Sequence, residues 1–311
     1  PAEEFEKYKL EQIAQIESQR SEPQSIAFTK IQKHISPFPK GDPRYVEDFD
    51  ESIASIKGLK LEDVKKFYKD YYGASNATMS LVGDFDNGET SKLVTELLGN
   101  WKSPLPYSRI TNKAIPVKTI NESVETPDKA NAFFVAAYNF EMRDDNPDYP
   151  ALVLGNYMLG GGFLNSRLAV RIRQKEGLSY GVGSQFTAGS LDPVGSFMAY
   201  AIYAPENVEK LEAAFKEEIN KVITDGFTTE EITAAKSGWT QSRQVNRSQD
   251  ASLSGTLNNY LFLNRVLKWD EEYEKMVNSM TAEQINAAIK RHLNPDLINI
   301  VKAGDFAKGK K

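Results

Sequence analysis

The sequence predicts an α+β fold of repeated two-layer units, each a largely antiparallel sheet covered by helices. Three observations lead there. Strand-like and helix-like segments come in clusters instead of strict alternation, which favours helices segregated onto an antiparallel or mixed sheet. The chain also repeats itself. Gly83-Asp84-Phe85 closes the apolar run Met79, Leu81, Val82, and Gly304-Asp305-Phe306 follows Ile298, Ile300, Val301 in the same way, 221 positions later. Finally, the 311 residues are 40% hydrophobic and 26% charged, the balance of a folded chain of about two units, with no apolar stretch long enough to span a membrane.

The repeat extends backwards from those tripeptides. The segment 61–72 matches 281–293, and Ala2-Glu3-Glu4-Phe5 matches Thr229-Glu230-Glu231-Ile232 at an offset of 227, the difference falling on an insertion around 38–43. A unit is therefore a little over 200 residues, so residues 1–103 correspond to the back half of one unit and 117–311 to a complete one. Between them, 104–116 contains Pro104 and Pro106 without a core pattern and reads as an extended linker.

Within the first part, helices are predicted over 3–20, 23–34, 46–57, 61–72 and 87–99, and a strand over 77–83. Leu61, Val64, Phe67, Tyr68 and Tyr71 fall at helical spacing. In the complete unit, strands are predicted over 117–124, 131–139, 178–188, 194–203 and 296–302. Helices are predicted over 147–159, 165–175, 205–225, 228–247, 250–264, 270–279 and 281–292. The helix 205–225 carries its own start and stop chemistry: Pro205 in the first turn, acidic Glu206 and Glu209 behind it, and Asp225-Gly226 at the exit.

Composition removes whole classes of function. Lys and Arg number 38 against 43 Asp and Glu, a net charge of −5, and the only basic cluster is the tail Lys308, Lys310, Lys311, so a sequence-independent grip on nucleic acid is not expected. Cysteine is absent, which excludes disulfides, thiolate metal sites and cysteine nucleophiles. Two histidines, His34 and His292, stand too far apart in sequence to form an HxxEH helix or any other paired-histidine metal motif. Each sits near a predicted helix end, where a positive dipole partner is expected. The sequence opens at Pro1, without an initiating Met and inside a helical pattern, and is expected to be a fragment or a processed product.

The densest segment runs from Leu159 to Ser184. It contains Gly160-Gly161-Gly162, then Arg167, Arg171 and Arg173, then Gly177-Leu178-Ser179-Tyr180-Gly181. A phosphate cradle does not fit, because no Lys-Ser/Thr follows the glycines and Gly177, Gly181 and Gly183 lack GxGxxG spacing. By pattern alone, Gly160 to Gly162 read as a helix end with a tight turn, glycine tolerating positive φ. Arg173 and Tyr180, seven apart across a helix-to-strand junction, are either a solvated helix charge and a half-buried strand residue, or a pair facing one groove. A guanidinium and a phenol together can hold a peptide carbonyl or a developing oxyanion without titrating near neutral pH.

Taken in order, YYGASNATMSLVGDFDNGE, LLGNWKSP, TPDKANAFF, DYPALVLGNYMLGGGFLNSRLAVRIRQKEGLSYGVGS, DGFTTEEITAAKSG and VKAGDF resemble the pitrilysin/insulinase family of zinc metallopeptidases over nearly the whole chain. The likeness is greatest to long bacterial members with four homologous units. The resemblance implies units with helices on one side of a largely antiparallel sheet, two halves of which enclose a peptide-sized chamber. It implies that Arg173 and Tyr180 match the family pair that reaches substrate at the zinc, and that Gly160, Gly161 and Gly162 lie where the chamber is lined.

Departures matter as much. The helix that would carry HxxEH reads Asp148 to Asn156 with no ligand, and the first helix offers Ile13, Ala14 and Gln15 where the downstream Glu would stand. The resemblance therefore implies the back half of a third unit plus a fourth: a noncatalytic C-terminal portion that binds peptide or unfolded polypeptide and helps close the chamber. No cofactor is expected in this chain. Zinc is expected in a missing N-terminal catalytic half, in the same chain or on a zinc-bearing partner subunit, and a bacterial periplasmic or extracytoplasmic location follows from the resemblance only. A metal-free scaffold of the same fold is the alternative.

Overall fold

The computed structural model describes residues 1–308; Lys310 and Lys311 of the basic tail lie outside the described residues. In chain order the elements are α1 (Ala2–Gln19), α2 (Pro23–Ile35), α3 (Phe49–Gly58), α4 (Leu61–Tyr71) and α5 (Asn87–Leu98), then β1 (Asn121–Glu125), β2 (Ala132–Phe140) and α6 (Tyr149–Asn156). There follow β3 (Ser179–Ala188), β4 (Gly195–Tyr203), α7 (Val208–Asp225), α8 (Thr229–Arg247), α9 (Asp250–Phe262), α10 (Leu267–Ser279), α11 (Ala282–His292) and β5 (Asn299–Gly304). Residues 101–120, including the predicted linker, hold no helix or strand.

The chain divides into two compact units that interleave along the sequence. Among the described residues the larger comprises 17–49, 112–241 and 272–308, and the smaller 1–16, 50–111 and 242–271. The larger is built on one sheet of order β1-β5-β2-β4-β3, antiparallel except for the β1–β5 pair, as the α+β reading requires. Its central strand β2 is buried through Tyr138, an uninterrupted apolar run with no polar alternation because both faces are covered. On one face Ala27, Ile31 and Ile35 of α2 share a core with Phe133, Val135, Ala137, Val301 and Ala303. On the other, Phe134 meets Phe215 of α7 at 5.1 Å. On that side α11 also packs on α6, so closely that a Cβ on Gly155 would lie 2.3 Å from Ile289.

In the smaller unit the predicted strand 77–83 does not form. A strand needs a neighbour. Its repeat counterpart β5 lies between β1 and β2, which come from the front half of a unit, and the 311 residues hold no second copy of that half. The segment is pinned instead to α9 by reciprocal hydrogen bonds, Ser80 Oγ to Ser254 C=O at 2.9 Å and Ser254 Oγ to Ser80 C=O at 3.0 Å. At the base of α9, Asp270 accepts from Arg247 at 2.5 Å and also from Arg243 and Tyr260.

The repeat is exchanged between the units. By the offset of 227, α9 is the copy of α2, yet α2 belongs to the larger unit with the later repeat while α9 belongs to the smaller with the earlier one. Ala27 shares its core with Val301, and their counterparts Ser254 and Ser80 bond to each other.

Candidate functional site

The residues singled out in 159–184 all fall in the larger unit, where two departures from regular helix shape them. Helix α6 does not end at Asn156 but continues as a π-helical turn over Tyr157–Gly161, and a second π-helical run spans Ala169–Lys175. Such turns are uncommon and concentrate at functional positions. Gly162 N–H donates to Tyr157 C=O at 2.7 Å, the five-residue spacing of that geometry.

A helical run does end at Gly161, as the pattern predicts, but the positive φ expected of Gly160 to Gly162 is absent. None of the three has positive φ. What they need is space: a Cβ on Gly160 would stand 2.5 Å from the backbone nitrogen of Ser184, one on Gly161 2.6 Å from the Asn156 amide, and one on Gly162 2.5 Å from Tyr157 C=O. Ser184 Oγ donates to Asn156 Oδ1 at 2.8 Å and locks this close approach of helix to strand. Gly160 is buried in the contact, whereas Gly161 is exposed and Gly162 half-buried.

The three arginines that follow have different surroundings. Arg167 donates to both oxygens of Glu231, at 2.7 and 2.8 Å, and to Gly226 C=O at 2.7 Å, with its guanidinium over the Phe227 ring. Arg171 is paired with Glu217 at 2.7 Å and with Glu176. Arg173 is exposed, and among the described residues it has no ion-pair or hydrogen-bond partner. Its charge is not used by the fold.

From Arg173 the chain turns at Gly177, whose φ of +64° only glycine takes easily, with Leu178 N–H donating to Ile172 C=O at 2.9 Å. Strand β3 then opens on a β-bulge: Ser179 pairs with Tyr203 and Gly181 with Ile202, leaving Tyr180 as the extra residue. A bulge re-aims the side chain it carries. Tyr180 is 60% exposed, and its hydroxyl has no partner among the described residues. The anchor is Ser179, 6% exposed, whose Oγ lies 2.6 Å from Ile202 C=O and accepts from Gly181 N–H at 3.1 Å. Sequence reasoning missed Ser179; a small hydroxyl residue immediately before the prominent tyrosine, with glycine after it, was the available signal.

The turn at Gly177 thus joins two free donors, Arg173 before it and Tyr180 after it, although no hydrogen bond or ring contact connects them. The histidines are occupied elsewhere. His34 Nε2 lies 2.8 Å from Lys118 C=O and 3.0 Å from Asn299 Oδ1, and His292 Nε2 lies 2.8 Å from the Asp148 carboxylate. Among the described residues no group of three or more His, Asp or Glu is placed to hold a metal ion, so the side chains present do not fit zinc. A cavity of about 400 Å³ opens elsewhere, between β1 and α7, but Asn121 and Lys216 on its rim are already bound to Glu212.

A family model described as the peptidase M16 inactive domain matches residues 58–238, more than half of the chain. The chain belongs to the M16 peptidase family. The match bears out the pitrilysin/insulinase resemblance, and the part matched is the inactive domain. Among relatives of this M16 chain, the non-peptidase homolog YmxG of Helicobacter pylori is 26% identical over 239 residues, 76% of this chain and 54% of the relative. The chain thus spans about half the length of that relative. The probable zinc protease PqqL of Escherichia coli is 25% identical over 236 residues, 71% of this chain and 23% of PqqL. Among solved structures, a peptidase M16 inactive domain from Pseudomonas fluorescens superposes with a TM-score of 0.82 at 27% identity, covering 98% of this chain and 71% of that one.

Proposed function

We propose that this chain is the noncatalytic C-terminal portion of a zinc endopeptidase. It helps close the peptide chamber and holds peptide through Arg173 and Tyr180 for hydrolysis at a zinc site outside these residues. The carrying observation is that Arg173 and Tyr180 are unpaired donors flanking one turn, while Arg167 and Arg171 of the same segment are tied into ion pairs. Arg173 presents a fork of N–H donors and Tyr180 one O–H. Both donate to a peptide carbonyl, and more strongly to that oxygen as it gains negative charge. Gly161 and Gly162, at the surface of the π-helical turn, give a peptide backbone close approach; Gly160 serves packing.

Zinc belongs, in this reading, to an N-terminal catalytic half, in the same chain or on a partner subunit, and the residues here carry out no step at the metal. In a four-unit chain of PqqL length, residues 1–103 and 117–311 are the back of the third unit and the fourth. The match to relatives about twice this chain's length favours a second arrangement, in which a subunit of that length pairs in trans with a zinc-bearing one. A metal-free scaffold is the competing reading, and the name of the H. pylori relative is its support. The proposed location, the bacterial periplasm, rests on the resemblance and on PqqL, described as a periplasmic protease.

Binding of a labelled unfolded polypeptide to the chain, weakened in Arg173→Ala and in Tyr180→Phe, is the expected result. Equal binding by wild type and both variants sinks the peptide-holding role and leaves the scaffold.

A further inference from the structure

A cavity of about 220 Å³ opens beside Tyr180. Phe133, buried in the sheet, and Ile202, the partner of Gly181 across the bulge, contribute its apolar lining; Tyr180 and Pro23 at the start of α2 are further lining residues. Glu22 and Lys129 also line it, 2.8 Å apart in an ion pair, so their charges cancel. The volume falls below the roughly 300–1,000 Å³ of small-molecule sites. It suits a single side chain, and the cancelled charge favours an uncharged one.

We propose that this cavity receives one uncharged apolar side chain of the extended peptide whose carbonyl Tyr180 and Arg173 hold, and so sets a sequence preference at one peptide position. The proposal rests on the peptide-holding reading of that pair. The geometry links the two: Tyr180, the bulged residue, lines the cavity while its hydroxyl has no partner among the described residues, and an extended chain advances only about 3.3 Å per residue. A carbonyl bonded to that hydroxyl therefore has a neighbouring side chain within reach of Phe133 and Ile202.

The test uses fluorescein-labelled alanine-based decapeptides in which each position in turn carries Leu, Phe, Asp or Lys, with binding to the chain read by anisotropy. At one position Leu or Phe should bind about tenfold or more tighter than Asp or Lys, the scale on which an apolar pocket discriminates. Ala130→Trp, an exposed lining residue whose bulk fills the cavity, should abolish that preference. Gln24→Trp, also exposed and lining it, serves if Ala130→Trp lowers the melting temperature. Arg173→Ala should weaken every peptide alike and leave the preference. Binding that Arg173→Ala weakens, but with no preference at any position or with one that both fills leave intact, overturns the cavity and spares the pair. Binding untouched by Arg173→Ala and Tyr180→Phe overturns the pair and the proposal with it.

Discussion

Val64 and Ile285 occupy the same place in two copies of one helix, 221 residues apart, and Val64 is 41% exposed while Ile285 is wholly buried. The contrast continues along the face: Phe67, Tyr68 and Tyr72 are more than half exposed, whereas Ala288, Ile289 and Leu293 are 1% exposed or less. The pattern is one pattern; α11 packs on α6 and α7 of the larger unit, and among the described residues α4 has no counterpart of them. Ile285→Ala should cost about 2–5 kcal/mol, and Val64→Ala less than about 1. Urea unfolding followed by circular dichroism measures both, and equal costs would mean that α4 is already covered.

The same face predicts an assembly phenotype. Phe67→Glu should leave the circular dichroism of the isolated chain unchanged, since the side chain is 55% exposed. It should weaken association with a fragment that supplies the front half of the same unit at least about tenfold, because a carboxylate there would be buried without a partner. Size-exclusion chromatography of the two halves mixed reads this directly; undiminished assembly would move the interface off α4.

The arginines separate stability from binding. Arg167→Ala strands the Glu231 carboxylate and leaves Glu218, 7% exposed, without the nearby guanidinium, and should cost about 2 kcal/mol. Arg173→Ala should change stability by less than about 0.5 kcal/mol while lowering peptide affinity. Melting curves and anisotropy on the same two proteins suffice. A destabilised Arg173→Ala would mark that residue as structural.

Ser179 connects fold to site. Ser179→Ala removes the hydroxyl that accepts from Gly181 N–H and should cost about 1–2 kcal/mol. It should also weaken peptide binding, whereas Tyr180→Phe should weaken binding without the stability loss. Ser179→Thr, which keeps the hydroxyl, should restore binding in part. If Ser179→Ala binds peptide like wild type, the bulge does not position Tyr180.

What could be read from the sequence, and what could not, divides along physical lines. Strands β2, β3 and β4 and the helix ending at Asp225-Gly226 follow from local periodicity and punctuation: the structure places each strand within one residue of its expected bounds, and the helix ends at Asp225 as expected, its first turn, Pro205–Asn207, being 3-10. The segment 77–83 has the same local signal, but strand identity is a property of the pair, and its neighbours are not in these residues. The exchange of α2 and α9 is equally nonlocal: Ala27 and Ser254 hold equivalent positions, and nothing in either helix says which unit it joins. At the site, Arg173 and Tyr180 were legible through a motif; that Arg167 and Arg171 are spoken for depends on Glu231 and Glu217, 64 and 46 residues away. At Gly160 to Gly162 the helix end was legible but the reason for glycine was not, because glycine serves close packing as readily as positive φ.

Glu212 gives the larger unit a defined acid response. Burial alone would raise its pKa, but hydrogen bonds from Lys216, Lys302 and Asn121, at 2.6, 2.5 and 2.6 Å, outweigh it and bring the carboxyl down to about 2. A folded-state pKa below the unfolded value means that the contribution is complete above about 4.5 and is lost as pH falls towards about 2. At 15% side-chain exposure the shift corresponds to something on the order of 3 kcal/mol. Glu212→Gln should therefore be less stable than wild type at pH 6, with most of the difference gone near pH 2, because both proteins then carry a neutral side chain at this position. Denaturation midpoints across that range decide the matter. A gap that stays constant with pH would mean that Glu212 stabilises the sheet edge through packing and neutral hydrogen bonds, and not through its charge.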